Sequence, residues 1–169
     1  MDTTSSQQLA QAVLAAATKR GLKIATAESL TGGMITAALS AVPGSSSVLL
    51  GGVVAYQNQV KEHALGVPAE LLQQVGAVDS AVAVSMAQGV RARFARDCGI
   101  TDELVVGLAT TGVAGPDAID GKPVGEVFIA LDASGLQVVR QLQLSGSRQQ
   151  IRQQTVDQIL QIFLEQFPA

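Results

Sequence analysis

Three short apolar runs, each ending in a loop of small and polar residues, constrain the fold of this chain most strongly. The runs cover residues 22–27, 48–56 and 103–110, and their lengths are those of buried strands. Segments with helical spacing lie between them, and in residues 79–97 apolar side chains recur at every fourth position. Alternating strands and helices favour an α/β fold in which helices cover both faces of a sheet.

The rest of the chain is predicted to complete a mixed sheet. Residues 124–131 and 136–144 are expected to form a hairpin around the turn at residues 132–135. Because the chain has no Trp and only 3% aromatic residues, its core must consist of Ala, Val, Leu and Ile. We therefore expect one domain over residues 1–169, an α/β fold arranged as a three-layer α/β/α sandwich. Helices are predicted at residues 6–20 (with Ser5 or Ser6 as the cap and Gly21 as the stop), 31–41, 58–65, 68–75, 79–97 and 147–167.

Charge and composition exclude several classes of protein. The net charge of -3 argues against a protein that wraps nucleic acid, because neutralising phosphates requires clustered Lys and Arg. Cys98 is the only cysteine, so an intrachain disulfide and a Cys-based zinc site are excluded. The chain has neither a run of about 18 apolar residues nor the pattern of a signal peptide at MDTTSSQQLAQ. We expect a cytoplasmic protein.

The segment AESLTGG, residues 27–33, places Glu28, Ser29 and Thr31 at a strand-to-helix transition. Ligands of α/β proteins gather outside the carboxyl ends of strands, and a helix N-terminus offers unpaired N–H groups. A hydroxyl at this point can cap the helix, bind phosphate or act as a nucleophile beside an oxyanion hole. Capping is the commonest of these uses, and the segment is not a G-x-S-x-G turn, a Walker loop or a G-x-G-x-x-G motif.

A serine nucleophile needs a base, and the sequence offers two candidates. His63, the only histidine, lies in a predicted short helix, where surface packing explains it at least as well as catalysis does. Lys61 follows the strand that ends at Tyr56, and a desolvated lysine can be neutral near pH 7. From chemistry alone, a solvated helix lysine is the simpler interpretation of Lys61.

A third loop, residues 110–117, follows the most apolar run and contains two hydroxyls, two glycines and a proline. By itself it is a turn that ends a strand. The loops at 28–33, 56–61 and 110–117 all follow predicted strands, however, and this convergence predicts a ligand site at one edge of the sheet. Arg148 and Arg152 are one turn apart on the last helix, where they form either a solvated pair or a phosphate clamp.

Six motifs occur in one order with short spacings. They are AESLTGG (27–33), VPGSS (42–46), AYQNQVKEHALGV (55–67), GAVDS (76–80), TGVAGPD (111–117) and KPVGEVFIA (122–130). Together they resemble the CinA C-terminal domain family, and the resemblance covers residues 6–166. The set is specific as a whole, although each motif alone is weak. The length of 169 residues leads us to expect the stand-alone form of this family.

The characterised enzymes of that family are nicotinamide-nucleotide amidohydrolases. The resemblance therefore implies hydrolysis of the carboxamide of nicotinamide mononucleotide to nicotinate mononucleotide and ammonia, with no metal and no cofactor. Carried over by position, it makes Ser29 the nucleophile and Lys61 the general base. It also makes Tyr56 an assisting hydroxyl and Thr111 a further polar group at the centre. This arrangement is similar in logic to the Ser-Lys-Tyr sites of β-lactamases.

The resemblance also implies a set of substrate-binding residues. The backbone of residues 31–33 is expected to stabilise the tetrahedral oxyanion. A nearby helix N-terminus and the pyridinium ring are expected to favour the neutral form of Lys61, because positive charge disfavours the ammonium. The full set is Thr31, Gly32, Gly33, Gly44, Ser45, Asn58, Gly112, Ala114, Gly115 and Arg148.

Three positions depart from the family pattern. Leu30 stands where many relatives have Cys, and we expect its side chain to pack inward. The loop after AGPD continues as Ala118-Ile119-Asp120 instead of Gly-Gly, which is expected to reshape the lip of the pocket. Gly146-Ser147-Arg148 replaces Gly-Asp-Arg and keeps the arginine. The last two departures bear on substrate affinity more than on chemistry.

The complete set of Ser29, Tyr56 and Lys61 favours an enzyme. The main alternative is a non-catalytic nucleotide-binding or interaction module linked to competence or DNA repair, and a third possibility is an amidase that acts on another small carboxamide. The expected partner is the small-molecule substrate, with no membrane and no direct nucleic-acid binding. We also expect a homo-oligomer, because the composition is apolar and rich in Ala.

Overall fold

The computed structural model describes residues 6–168, in which strands and helices alternate before a final hairpin and helix. The strands are β1 (Lys23–Glu28), β2 (Leu49–Val54), β3 (Val105–Gly112), β4 (Glu126–Ala133) and β5 (Leu136–Gln143). The helices are α1 (Ser6–Arg20), α2 (Met34–Ser40), α3 (Asn58–Leu65), α4 (Ala69–Val75), α5 (Ser80–Cys98) and α6 (Arg148–Gln166). Short 3-10 turns cover Ser45–Ser47 and Asp102–Leu104.

The sheet has the strand order β2-β1-β3-β4-β5 and is mixed, as predicted. Strand β1 is parallel to both β2 and β3, whereas β4 is antiparallel to β3 and to β5. Glu28 at the end of β1 lies opposite Val54 of β2 and Thr110 of β3. The three parallel strands therefore end at the same edge of the sheet, and the loops that follow them emerge side by side.

Helices cover both faces of the sheet, which confirms the predicted three-layer arrangement. One apolar cluster joins α1, α2 and α6 to side chains such as Ile24, Leu108 and Ile129. The other joins α3, α4 and α5 to alternate residues of the same strands, including Ala25 and Ala109. Because successive strand residues point to opposite faces, each strand contributes to both clusters.

Helix α5 packs unusually close to its neighbours because two positions lack a side chain. A Cβ atom on Gly107 of β3 would lie 2.1 Å from the carbonyl oxygen of Ala87, and one on Gly89 would lie 1.8 Å from that of Leu65. Any side chain at either position would push α5 away from the sheet or from α3. These two contacts hold α3, which carries Lys61, at a fixed distance from the sheet.

Some predicted boundaries were wrong, and each has a local cause. The helix expected from residue 31 begins at Met34, because Gly32 and Gly33 adopt positive φ values of 60° and 98° in a turn. The strand expected at 103–110 begins at Val105 after a 3-10 turn and continues to Gly112, since Thr111 and Gly112 pair with β4. The strand expected at 48–56 covers only Leu49–Val54.

Other predictions were confirmed. Helix α3 has the expected bounds, Met86 and Val90 of α5 are buried, and the hairpin joins β4 to β5. Helix α6 is capped by Ser147, whose side chain accepts from the N–H of Gln150. Ser5, the other candidate cap of α1, lies outside the described residues. Within residues 6–168, no helix is both long and apolar enough to cross a bilayer.

Candidate active site

A cavity of about 380 Å³ opens at the edge of the sheet where the parallel strands end. It collects residues from all three loops that the sequence singled out, and from α6. The predicted convergence of these loops is therefore confirmed as a matter of placement. The lining residues are Ser29, Leu30, Tyr56, Gln57, Asn58, Gln59, Lys61, Ala77, Val78, Thr111, Gly112, Ala114, Ile119, Asp120 and Arg148.

Ser29 is the first residue after β1. Because side chains along a strand point alternately to the two faces of the sheet, the strand determines the direction of the Ser29 side chain. Glu28 turns toward α2 on one face, as its hydrogen bonds to α2 show, so Ser29 turns toward α3 on the other. The Ser29 N–H donates to the carbonyl oxygen of Thr110 at 3.0 Å, which continues the pairing of β1 with β3 for one residue. The hydroxyl is thereby fixed at the floor of the cavity.

Lys61 comes from α3 and is fully buried. Its Nζ lies 3.2 Å from Ser29 Oγ, 2.8 Å from the carbonyl oxygen of Ala55 and 3.2 Å from that of Tyr56. Burial lowers the pKa of Lys61 from 10.5 to about 8. The cause is desolvation of the ammonium within the protein itself. His63, the alternative base, is exposed on the same helix and does not line the cavity.

The three partners of Lys61 are all oxygen atoms, and they fit both protonation states of the amine. A neutral amine has two N–H donors and one lone pair, whereas an ammonium has three donors and no acceptor. The carbonyl oxygens of Ala55 and Tyr56 accept the two N–H donors. In the ammonium form, the third donor reaches Ser29 Oγ at the observed 3.2 Å. In the neutral form, the lone pair faces the Ser29 hydroxyl and can accept its proton, which is what a serine nucleophile requires of a base.

Glu28 is the site residue whose role the sequence did not reveal. Its carboxylate is fully buried and accepts the N–H groups of Gly33, Ile35 and Thr36 at 2.8–3.0 Å, together with the hydroxyl of Thr36 at 2.7 Å. Gly33, the local N-cap residue of α2, has no side chain to cap the helix. Glu28 therefore caps α2 from the preceding strand and satisfies N–H groups that have no partner within the helix.

The turn between Ser29 and α2 has fewer free backbone N–H groups than the sequence led us to expect. The N–H of Gly33 donates to Glu28, and the N–H of Gly32 donates to the carbonyl oxygen of Ser29 at 3.2 Å. These two amides are occupied in this geometry and do not face an oxyanion, contrary to the expectation from the sequence. The Thr31 hydroxyl is buried 2.8 Å from Thr110 Oγ1, where it ties the ends of β1 and β3 together.

Tyr56 and Arg148 form the rim of the cavity. Arg148 Nη2 donates to the Tyr56 hydroxyl at 2.9 Å, and Nη1 donates to the carbonyl oxygen of Gly115 at 2.6 Å. Tyr56 therefore accepts a hydrogen bond from Lys61 at its carbonyl oxygen and one from Arg148 at its hydroxyl. Thr111 lines the cavity, but its hydroxyl donates to the carbonyl oxygen of Ala77 at 2.6 Å. It holds the loop before α5 against β3.

The remaining predicted binding residues form two groups, one at the cavity and one away from it. Asn58, Gly112 and Ala114 line the cavity, and Gly115 contacts it through Arg148. Gly44 and Ser45 are not brought to the site. Helix α2 returns the chain to the amino end of the sheet, where the neighbouring Ser47 accepts a hydrogen bond from Lys23 at the start of β1.

The departures from the family pattern are also placed by the structure. Ile119 and Asp120 line the cavity, so the altered loop does form part of its lip. The Leu30 side chain packs into the cluster that joins α1, α2 and α6, as expected, and Leu30 is also one of the residues that line the cavity. Arg152, unlike Arg148, does not line the cavity and is bonded to main-chain carbonyls of the turn after Ser29.

Comparison with known proteins identifies the family. The model of the CinA C-terminal domain matches residues 6–167, which is nearly the whole chain. This chain belongs to the CinA C-terminal domain family. A relative described as a putative competence-damage inducible protein from Desulforamulus reducens is 51% identical over 142 residues, covering 84% of this chain and 33% of the relative. A CinA-like protein from Gemmatimonas aurantiaca is 47% identical over 85% of this chain and 32% of its own length.

Solved CinA-family structures share the fold. The competence/damage inducible protein CihA from Agrobacterium tumefaciens superposes with a TM-score of 0.86 at 34% identity, over 95% of this chain and 94% of that one. A CinA superfamily protein from Escherichia coli gives a TM-score of 0.89 at 29% identity, over 98% and 92% of the two chains. The chain spans about a third of the length of the curated relatives that it matches.

Proposed function

We propose that this CinA-family domain is an amidohydrolase that converts nicotinamide mononucleotide to nicotinate mononucleotide and ammonia. The observation that carries the proposal is the buried contact between Lys61 Nζ and Ser29 Oγ inside the cavity. A lysine whose pKa is lowered to about 8 has a neutral fraction near pH 7 that can act as a base. The choice of substrate rests on the resemblance to the characterised enzymes of the family. The names of the matched relatives mention no substrate.

The proposed reaction runs through a covalent intermediate. Lys61 takes the proton of the Ser29 hydroxyl while Oγ attacks the carboxamide carbon, and the carbonyl oxygen becomes an oxyanion. Lys61 then returns the proton to the amide nitrogen, the C–N bond breaks and ammonia leaves. A water molecule, deprotonated by the same amine, attacks the acyl carbon and releases the carboxylate and Ser29. One water is consumed and one ammonia is formed.

Charge and size at the rim are compatible with a nucleotide. Arg148 is an exposed cation that lines the same cavity as the buried Lys61. Its guanidinium presents donors in the geometry that phosphate oxygens accept. We therefore assign the substrate phosphate to Arg148, with the aromatic face of the exposed Tyr56 beside the ribose or ring. Cavities of a few hundred Å³ are typical of small-molecule sites.

The first test is product formation by the purified protein in the presence of a chelator. We expect wild type to release ammonia from nicotinamide mononucleotide and to ignore free nicotinamide, which lacks the phosphate. Ser29→Ala should lower kcat by about 10⁴-fold or more, because the nucleophile is lost. Ser46→Ala, at an exposed serine remote from the cavity, is the matched control and should be unchanged.

Other results would point to other functions. A folded wild type that releases no ammonia would favour the non-catalytic binding or interaction module, a possibility kept open by relatives named as competence-damage inducible proteins. Equal turnover of free nicotinamide would favour a general amidase. The cytoplasmic location, the homo-oligomeric state and the stand-alone form expected from the sequence stay predictions.

A further inference from the structure

Arg152 reaches from α6 to the turn that follows Ser29. Its Nε donates to the carbonyl oxygen of Leu30 at 2.9 Å, and its Nη2 donates to that of Thr31 at 2.8 Å. The guanidinium thus holds two consecutive peptide groups with one planar fork, which a single ammonium cannot do. Arg152 is half-buried, and the guanidinium lies 3.2 Å from where a Cβ on Gly32 would be. The contact is therefore close and fixed.

The direction of these carbonyls determines the direction of the adjacent N–H groups. In a trans peptide, C=O and N–H point in opposite directions within one plane. With the Leu30 carbonyl directed at α6, the N–H of Thr31 in the same peptide group points away from α6. The turn is closed by the hydrogen bond from the Gly32 N–H to the Ser29 carbonyl oxygen. Helix α6 covers the face of the sheet opposite to the one that Ser29 and α3 share, so an N–H that points away from α6 is directed toward the face of Ser29.

The Thr31 N–H is also the donor of this turn that other groups leave unoccupied. Gly32 donates to Ser29, Gly33 donates to Glu28, and Ser29 donates to Thr110. Over the described range 6–168, no group of the chain accepts a hydrogen bond from the Thr31 N–H. Leu30, which supplies the carbonyl of this peptide group, is one of the residues that line the cavity.

We propose that the Thr31 N–H stabilises the oxyanion and that Arg152 is the positioning residue that aims it. This inference rests on the proposed serine chemistry and deepens it. When Ser29 Oγ bonds to the carboxamide carbon, the carbonyl oxygen gains the negative charge and accepts the Thr31 N–H. Arg152 never touches the substrate. It acts by keeping the peptide plane from turning, so that the donor is in place before the charge develops.

Two variants of Arg152 test the inference, with a third arginine as the matched control. Arg152→Met removes both hydrogen bonds, and Arg152→Lys keeps the charge and one bond. Arg140→Met removes an arginine that also contacts α6, through Glu165, but far from the turn. Turnover of nicotinamide mononucleotide is measured from pH 6.5 to 9.5, and folding is checked by urea denaturation. Labelling of Ser29 by diisopropyl fluorophosphate is followed by mass spectrometry.

We expect Arg152→Met to lower kcat by about 100-fold, the usual effect of losing one oxyanion donor, with KM within about threefold of wild type. The midpoint of the pH profile should not move, because Lys61 keeps its surroundings. Labelling of Ser29 should slow by a similar factor, since the phosphoryl oxygen needs the same donor. Arg152→Lys should fall between Arg152→Met and wild type, and Arg140→Met should match wild type in every measurement.

Three results would overturn the inference. One is a kcat of Arg152→Met within about threefold of wild type, and another is a fall in kcat with an unchanged rate of Ser29 labelling. The third is a wild type in which Ser29 is not labelled. If Arg152→Met does not fold, wild-type kinetics in Arg152→Lys would have the same meaning. If wild type is labelled but does not hydrolyse nicotinamide mononucleotide, the proposed substrate fails, and the labelling rates still decide the role of Arg152.

Discussion

Glu28 and Lys61 are both fully buried ionisable side chains beside Ser29, yet their surroundings differ. The carboxylate of Glu28 accepts three backbone N–H groups and a hydroxyl, so every partner stabilises its negative charge. Lys61 faces two carbonyl oxygens and one hydroxyl, and no carboxylate between residues 6 and 168 pairs with it. The first environment compensates a buried charge, whereas the second leaves a buried cation without a counterion.

The difference separates a structural role from a chemical one. A side chain whose charge is compensated by its hydrogen-bond partners fixes the helix that it caps. A side chain whose charge is disfavoured by burial gives up its proton more easily, which is what a base near neutral pH requires. In the proposed mechanism, two residues of opposite charge thus serve Ser29: Glu28 caps the helix that follows its turn, and Lys61 accepts its proton.

The strongest way to break this comparison is to remove Lys61. Lys61→Met should lower kcat by about 10⁴-fold, because the base is lost. Stability should hardly change. With the pKa lowered to about 8, carrying the proton at pH 7 costs the folded state about 3 kcal/mol relative to the unfolded chain. The three hydrogen bonds of Lys61, worth about 1 kcal/mol each, are lost with it, so the two effects are expected to cancel to within about 1 kcal/mol.

Urea denaturation at pH 7, run beside the kinetic assay, measures both effects of Lys61→Met. Lys19→Met, at an exposed lysine near the end of α1, is the control and should change neither quantity. A Lys61 variant that is inactive and also several kcal/mol less stable would mean that the lysine holds the fold together. The contrast with Glu28 would then be lost.

The opposite result is expected when Glu28 is changed. Glu28→Gln keeps the shape of the side chain but turns an NH₂ group toward backbone N–H groups that need an acceptor. We expect the free energy of unfolding to fall by about 3 kcal/mol, because buried donors lose their partners. Glu103→Gln, at an exposed site, should stay within about 0.5 kcal/mol of wild type. A Glu28→Gln variant as stable as wild type would show that the cap of α2 is dispensable.

The pH dependence of turnover gives the smallest but most specific effect. The base must be neutral, and burial lowers the pKa of Lys61 to about 8. Activity should therefore rise with pH and level off above about pH 9, and at pH 7 roughly a tenth of the plateau rate should remain. Formation of nicotinate mononucleotide, followed by chromatography from pH 6.5 to 9.5, measures this. A profile that is flat across pH 8 would contradict the assignment of Lys61 as the base.

Much of the site was predictable because its residues lie next to elements that the sequence displays. Ser29 and Thr111 follow apolar runs. Lys61 lies in a helix that has clear bounds and begins shortly after a strand. Parallel strands that end together bring such loops to one edge whatever the details of packing. The family resemblance then selected Ser29 and Lys61, where chemistry alone had left a cap and a solvated lysine as the simpler interpretations.

The rest depended on contacts that no local pattern encodes. Arg152 meets the carbonyl of Leu30 across 122 positions of sequence, and this contact is set by the docking of α6. The role of Glu28 had a weak signal, an acid at the end of an otherwise apolar strand in a chain with only 15% charged residues. Gly44 and Ser45 were placed in the site by their motif, although the length of α2 carries them to the far end of the sheet.

Arg148 and Arg152 both belong to α6, which follows every strand of the sheet in the sequence. A nascent chain that has completed the sheet but not α6 already contains Ser29 and Lys61. It lacks Arg148 at the rim of the cavity and the hydrogen bonds of Arg152 to the turn after Ser29. Because translation proceeds from the N-terminus, the site is assembled only when synthesis of the domain is almost finished. A truncated product of an interrupted message would contain Ser29 and Lys61 but would lack Arg148 and Arg152.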